Sequence, residues 1–108
     1  VIQCEDVQAI ENLPSILKEV PGIGVVLIGE GDLSQELGYP RQYDHPVVAD
    51  AINSILAICK ENNVPCGHPH PDTQNTARLV EEGYRFLMPG SGRSYAALDQ
   101  GRKLTGRE

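Results

Sequence analysis

The sequence predicts an α/β fold with a parallel sheet of the (β/α)8 barrel type, in which this chain supplies about four βα units. Three observations carry that expectation. Short aliphatic runs alternate four times with stretches whose apolar residues recur at helical spacing. The links between them are short and carry no hairpin signal, so helices join successive strands and the strands run parallel. The second run, Val25 to Ile28, is aliphatic throughout, as a strand covered on both faces should be. An eight-unit barrel takes about 250 residues, so these 108 residues make half of one, in a single domain, 1–108.

Val1 to Cys4 is the first strand, and Glu5 and Asp6 follow it. Val7, Ile10, Leu13, Ile16, Leu17 and Val20 then keep helical spacing; Pro14 interrupts them, which predicts a kink or two short helices. Pro21-Gly22 ends that segment, and Gly24 to Ile28 forms the second strand. The stretch Gly38 to Pro46 lacks periodicity and reads as a surface excursion. Asp44 is positioned to cap the next helix, with Pro46 in its first turn. Val48, Ala51, Ile52, Ile55, Leu56 and Cys59 give that helix its apolar face, and Glu61-Asn62-Asn63 closes it. Val64 to Gly67 is the third strand. Asp72 or Thr73 caps a helix running through Leu79 to a C-cap at Gly83. Tyr84 to Met88 is the fourth strand, and a last helix spans Tyr95 to about Leu104.

A net charge of -6, with no basic tail or patch, argues against nucleic acid or an anionic membrane as partner. No apolar run approaches membrane-spanning length, and no signal peptide is visible. The opening Val1-Ile2-Gln3-Cys4 has no initiator Met and reads like the interior of a strand, so a segment of a longer chain is expected. Three cysteines without a Cys-x-x-Cys pair fit reduced thiols in a cytoplasmic protein. Cys4 and Cys66 read as small buried hydrophobes, since no base is positioned by sequence.

The chemistry centres on Leu27-Ile28-Gly29-Glu30-Gly31-Asp32-Leu33-Ser34. Two glycines there let the backbone turn tightly and approach a ligand. In a parallel barrel the carboxyl ends of all strands face one rim, so Glu5 and Asp32 come to adjacent positions. Two carboxylates, with water and substrate completing an octahedron, suit Mg²⁺ or Mn²⁺ better than Zn²⁺. Read from spacing alone, both acids equally fit helix caps, Asp32 as an N-cap.

Gln3-Cys4-Glu5, Ala9 to Leu13, Val20-Pro21-Gly22-Ile23, Ile28 to Ser34 and Leu37-Gly38-Tyr39-Pro40 together resemble the HpcH/HpaI aldolase family. The similarity extends through His45-Pro46 and Gly83 to Phe86–Gly90. The resemblance implies the C-terminal half of a metal-dependent pyruvate aldolase barrel. Such an enzyme cleaves a 4-hydroxy-2-oxo acid to pyruvate and an aldehyde through a metal-stabilised enolate. It implies that Glu5 and Asp32 hold the divalent metal (Mg²⁺ or Mn²⁺, with Co²⁺ a further candidate). It also implies that Gln3 lies near the bound 2-oxo acid and that the Gly29, Glu30, Gly31, Asp32 turn holds the pyruvate carboxylate. A homo-oligomer, commonly a hexamer, goes with the family, as does a cytoplasmic location. The family's substrate Arg and its proton relay belong to the first half of the barrel, so no catalytic base is assigned here. A citrate-lyase-like CoA-ester lyase is the nearest alternative. A half barrel without catalysis that folds by oligomerising is the alternative of another class.

This chain departs from the family at Glu30, where Pro is usual, and at Gly90-Ser91-Gly92, where Gly-x-Asp is common. A negative side chain beside an anion site must turn away or alter the substrate. Cys66, His68 and His70 share one face of an extended segment, and with Asp72 they could hold Zn²⁺. The competing reading is a rim loop that shapes substrate access. His45 reads as a loop or capping residue, Arg93 as a solvated loop arginine, and Arg102, Lys103 and Arg107 as charge complement at a helix end.

Overall fold

The computed structural model describes residues 1–88 and 95–107. Nine elements follow in the order β1 (Ile2–Cys4), α1 (Val7–Glu19), β2 (Val26–Ile28), α2 (Glu30–Glu36), α3 (Pro46–Glu61), β3 (Cys66–His68), α4 (Thr76–Glu82), β4 (Phe86–Leu87) and α5 (Ala96–Leu104). The four strands form one parallel sheet in the order β1-β2-β3-β4. Each strand is two or three residues long, shorter than its apolar run.

That register separates two faces. Gln3, Leu27, Gly67 and Phe86 stand in one row across the sheet. Cys4, Val26, Ile28 and Cys66 alternate with them and join the core with Leu13, Leu33, Val48, Ile55, Cys59 and Leu79. In a strand alternate residues point to opposite sides. The helices therefore cover one face, and the row at Gln3, Leu27, Gly67 and Phe86 forms the other, the interior side of a barrel.

α1 is one continuous helix across Pro14, not two short ones. Pro14 is exposed, so the Ile10 carbonyl that loses its donor is left toward solvent. Asp6 caps α1 by accepting the Ala9 N–H at 2.6 Å. Leu13, with Ile10 and Leu17 beside it, faces the core.

Two caps differ from expectation. His45, not Asp44, caps α3, its Nδ1 accepting the Val47 N–H at 3.3 Å. Pro46 explains the shift: it occupies N1, so the residue before it must take the cap. The ring of His45 also stacks on Tyr39, with centroids 3.6 Å apart. Neither Asp72 nor Thr73 is the cap of α4, which falls on Asn75. Asp72 instead organises the turn ahead of it, its Oδ1 accepting the N–H groups of Gln74 and Asn75, each at 2.8 Å. Gly83 ends α4 as expected, at φ +108°, a left-handed conformation that glycine accepts without strain. Gly90-Ser91-Gly92 and Arg93 lie outside the described residues.

Candidate functional site

All four strands run the same way, so their carboxyl ends share one rim. β1 delivers Glu5 there, β2 the Gly29–Asp32 turn, β3 His68-Pro69-His70, and β4 Met88. A pocket of about 290 Å³ opens on this rim. Gln3, Gly29, Glu30, Gly31 and Asp32 line it, together with Leu27, Ile28, Pro69, His70 and Met88. The five residues assigned to substrate from the resemblance thus share one cavity.

Gly29 is the hinge of the arrangement. Its N–H donates to the Cys4 carbonyl at 2.8 Å, which ties the end of β2 to the end of β1. A Cβ placed on Gly29 would stand 2.8 Å from both Gln3 Nε2 and Glu5 Oε2, and would overlap Glu5 Cβ. Only a residue without a side chain lets Gln3 and Glu5 lie against this turn. Glycine here is a requirement of close approach, since its φ is -94° and demands nothing unusual.

α2 begins at Glu30, so Asp32 stands inside its first turn, exposed, and does not cap it. Gly29 is the N-cap and offers no side chain. The Leu33 N–H is the first to bond back, to the Gly29 carbonyl at 3.0 Å. The N–H groups of the turn before it are the donors a helix start leaves without intrahelical partners.

Glu30 lies in a quite different setting from the exposed acid that its place in a glycine turn suggests. It is buried, with 4 % of its side chain accessible. Its Oε1 is 2.5 Å from His70 Nδ1, and its Oε2 is 3.4 Å from His68 Nε2. The charge turns away from the glycine turn and into two imidazoles. His68 is also buried, packed edge-on against Tyr84 at 5.2 Å. Burial holds the His68 imidazole below its ordinary value, against the opposing pull of Glu30. The His70 backbone N–H donates to His68 Nδ1 at 3.3 Å. That bond leaves the proton of a neutral His68 on Nε2, facing Glu30.

The proposed zinc ligands do not converge. Cys66 packs toward Cys59, and their thiols hydrogen-bond, which, with burial, pushes the Cys66 thiol up. His68 and His70 are occupied by Glu30, and Asp72 by its own turn. Among the described residues no group of three or more His, Cys, Asp or Glu side chains is placed to hold a metal ion. Glu5 and Asp32 are two acids beside one turn, which by themselves leave most of an octahedron to water and substrate. Cys4, Cys59 and Cys66 are all buried thiols, with Cys4 pushed up to about 11 by burial and then by Asp6. Cys59 alone is held below its ordinary value, by the hydrogen bond from Cys66, and it is fully buried, out of reach of any substrate.

Missed from sequence was the partnership of Glu30 with His68 and His70. The ladder pairs Val26 with Cys66 and Leu27 with Gly67. Carried on to Glu30 and His70, the same offset sets the acid beside the histidines. The strand alignment was the signal that could have found it.

The model for the family described as HpcH/HpaI aldolase/citrate lyase matches residues 1–96. A 4-hydroxy-2-oxo-heptane-1,7-dioate aldolase of Escherichia coli is 34% identical over 90 residues, 83% of this chain and 34% of that one. A 5-keto-4-deoxy-D-glucarate aldolase of Salmonella newport is 30% identical over 91 residues, 84% of this chain and 35% of that one. The chain therefore spans about a third of the length of these curated relatives. Among solved structures, an HpcH/HpaI aldolase from Desulfitobacterium hafniense DCB-2 superposes with a TM-score of 0.75 at 30% identity, covering 96% of this chain and 39% of that one. A family protein from Burkholderia cenocepacia J2315 gives 0.78 at 26% identity, covering 96% and 40%. The four parallel strands and their helices match part of these barrels.

Proposed function

The chain belongs to the HpcH/HpaI aldolase/citrate lyase family, and on that premise we propose that it supplies the C-terminal half of a single class II aldolase barrel. The reaction is cleavage of a 4-hydroxy-2-oxo acid to pyruvate and an aldehyde. The observation that carries this reading is Gly29: its missing side chain is the space into which Glu5 and Gln3 fit, at the start of the turn that ends in Asp32.

In this reading Glu5 and Asp32 hold the divalent ion, Mg²⁺, Mn²⁺ or Co²⁺. Two acid side chains and open remaining positions fit such an ion and a chelating 2-oxo acid. When bound, it polarises the 2-oxo group and lowers the energy of negative charge developing on the pyruvate carbons. The Gln3 side chain lies against the same turn and orients the 2-oxo acid. The backbone N–H groups of Glu30, Gly31 and Asp32 receive its carboxylate. Cleavage breaks the C3–C4 bond: the 4-hydroxyl loses its proton, C4 becomes the aldehyde carbon, and C3 takes the electron pair and then a proton. The base and the substrate arginine are assigned to the other half of the barrel. A homo-oligomer in the cytoplasm goes with the reading.

The test uses the longest native form of the chain. Deuterium exchange into the pyruvate methyl group is followed by NMR, with and without a chelator, in wild type and Asp32→Ala. Exchange that needs the metal and is lost in Asp32→Ala supports the proposal. Absence of exchange in metal-replete wild type would sink it, and CoA-ester cleavage would become the next reaction to assay.

A further inference from the structure

The glycine turn carries an acid that its proposed chemistry does not use. Glu30 is buried beside an anion site, and its two oxygens are taken by His70 and His68. These contacts make a chain of fixed orientations. The His70 backbone N–H holds His68 Nδ1, His68 turns Nε2 toward Glu30, and Glu30 in turn holds His70 Nδ1. The Asn75 side-chain amide donates to the His70 carbonyl at 3.1 Å, and Tyr43 lies along the His70 ring at 6.4 Å. A carboxylate on one imidazole nitrogen settles which way the other one faces.

The rest of the His70 ring is open, 59 % of its side chain being accessible, and it lines the rim pocket with Gln3, Gly31 and Asp32. With pyruvate held by the Gly29–Asp32 turn, the remaining described lining on the β3 and β4 side is Pro69, His70 and Met88. Of these three, His70 alone has a polar side chain. We propose that the Glu30-His68-His70 cluster presents His70 Nε2 to the aldehyde-derived end of the substrate. It would select 4-hydroxy-2-oxo acids that carry a further oxygen beyond C4 over those that end in hydrocarbon.

This inference rests on the aldolase reading and deepens it. Nε2 bonds an oxygen of the aldehyde portion, hydroxyl or carboxylate, while Pro69 and Met88 contact its carbons. Glu30 is the positioning residue, and it touches no substrate. A site built around one hydrogen bond discriminates against a partner that lacks it, because its polar group is then left unpaired.

The experiment uses the full-length, Mn²⁺-loaded enzyme and measures pyruvate addition to glycolaldehyde, glyoxylate and propanal. Glycolaldehyde and propanal differ by hydroxyl against methyl, and glyoxylate separates carboxylate from hydroxyl recognition. The expected result is a wild-type kcat/KM ratio favouring an oxygen-bearing aldehyde over propanal by about tenfold. That ratio collapses toward unity in His70→Ala and is partly rescued in His70→Gln. Glu30→Gln lowers it through the aldehyde KM. Pyruvate methyl exchange on the same preparations reports the pyruvate site separately, and the ratio is expected to fall further than exchange does. A wild type without the preference, or a His70→Ala that keeps it while exchange persists, overturns the inference alone. A wild type without exchange overturns the aldolase reading, and the aldehyde site falls with it.

Discussion

Gly29 and His68 show how single residues set the site. Any side chain at position 29 pushes Glu5 and Gln3 off the turn. Gly29→Ala is therefore expected to fold, since φ is ordinary there, but to weaken Mn²⁺ binding by about tenfold or more, as misplacing a ligand does. Titration of Mn²⁺ into the full-length variant, followed by its effect on water proton relaxation, checks this. An unchanged affinity would remove the glycine from the account of the site. His68 bears on stability through pH. Its folded value lies below the ordinary 6.5, so the unfolded chain binds a proton that the folded one refuses. The contribution is present above pH 6.5 and is lost as pH falls from there toward the folded value. His68→Gln should flatten the decline of the unfolding midpoint on the acid side of 6.5. An equally steep decline in the variant would assign the acid sensitivity to other groups.

At the scale of elements, α3 and α1 make opposite predictions. Ile55 is fully buried on the face of α3 that covers the sheet. Ile55→Ala should cost about 2–5 kcal/mol, the range for a large aliphatic cut out of a packed core. Pro14 removes a backbone donor from the middle of α1, a helix that forms regardless because Leu13 and its neighbours are buried. Pro14→Ala supplies that donor and should stabilise by about 1–3 kcal/mol. Urea unfolding of the full-length variants measures both, and a destabilised Pro14→Ala would show that Pro14 has a packing role. These two helices also show what was legible. Apolar spacing was enough to place α1 and α3, since burial of a stripe is what forms a helix. Pro14 does not split α1 in two, because the tertiary packing of Leu13 and its neighbours overrides the local penalty. His45, which reads from sequence as a loop or capping residue, takes the cap in place of Asp44, its ring nitrogen substituting for the usual Asp or Ser oxygen. Glu5, Asp32 and the glycine turn are assigned to a site through a family resemblance, not through spacing, which leaves capping equally open. The turning of Glu30 into His68 and His70 was not legible, because strand register is a long-range property that no local pattern records.

The molecule as a whole presents a sheet covered on one face only. β1 and β4 are its two edges, and the row Gln3, Leu27, Gly67 and Phe86 faces away from the helices. Gly67 is packed to its limit within that row: a Cβ there would stand 3.0 Å from Phe86 Cδ1 and 3.1 Å from Leu27 Cδ1. Leu27 and Phe86 thus close over the glycine and begin the layered filling that a barrel interior needs. Unpaired parallel edges at β1 and β4, and Phe86 half-buried at the end of that row, both favour association, and neither is relieved among the described residues. Residues 1–108 produced alone should therefore sediment as concentration-dependent oligomers, while the full-length chain shows one size over the same range. Phe86→Asp in the isolated chain should shift it toward monomer, because a charge at this half-buried position on the β4 edge opposes burial against a second copy. A monodisperse, folded monomer of the unsubstituted segment would mean that four βα units suffice without the rest of a barrel. The half-barrel description would then have to give way to a self-contained domain.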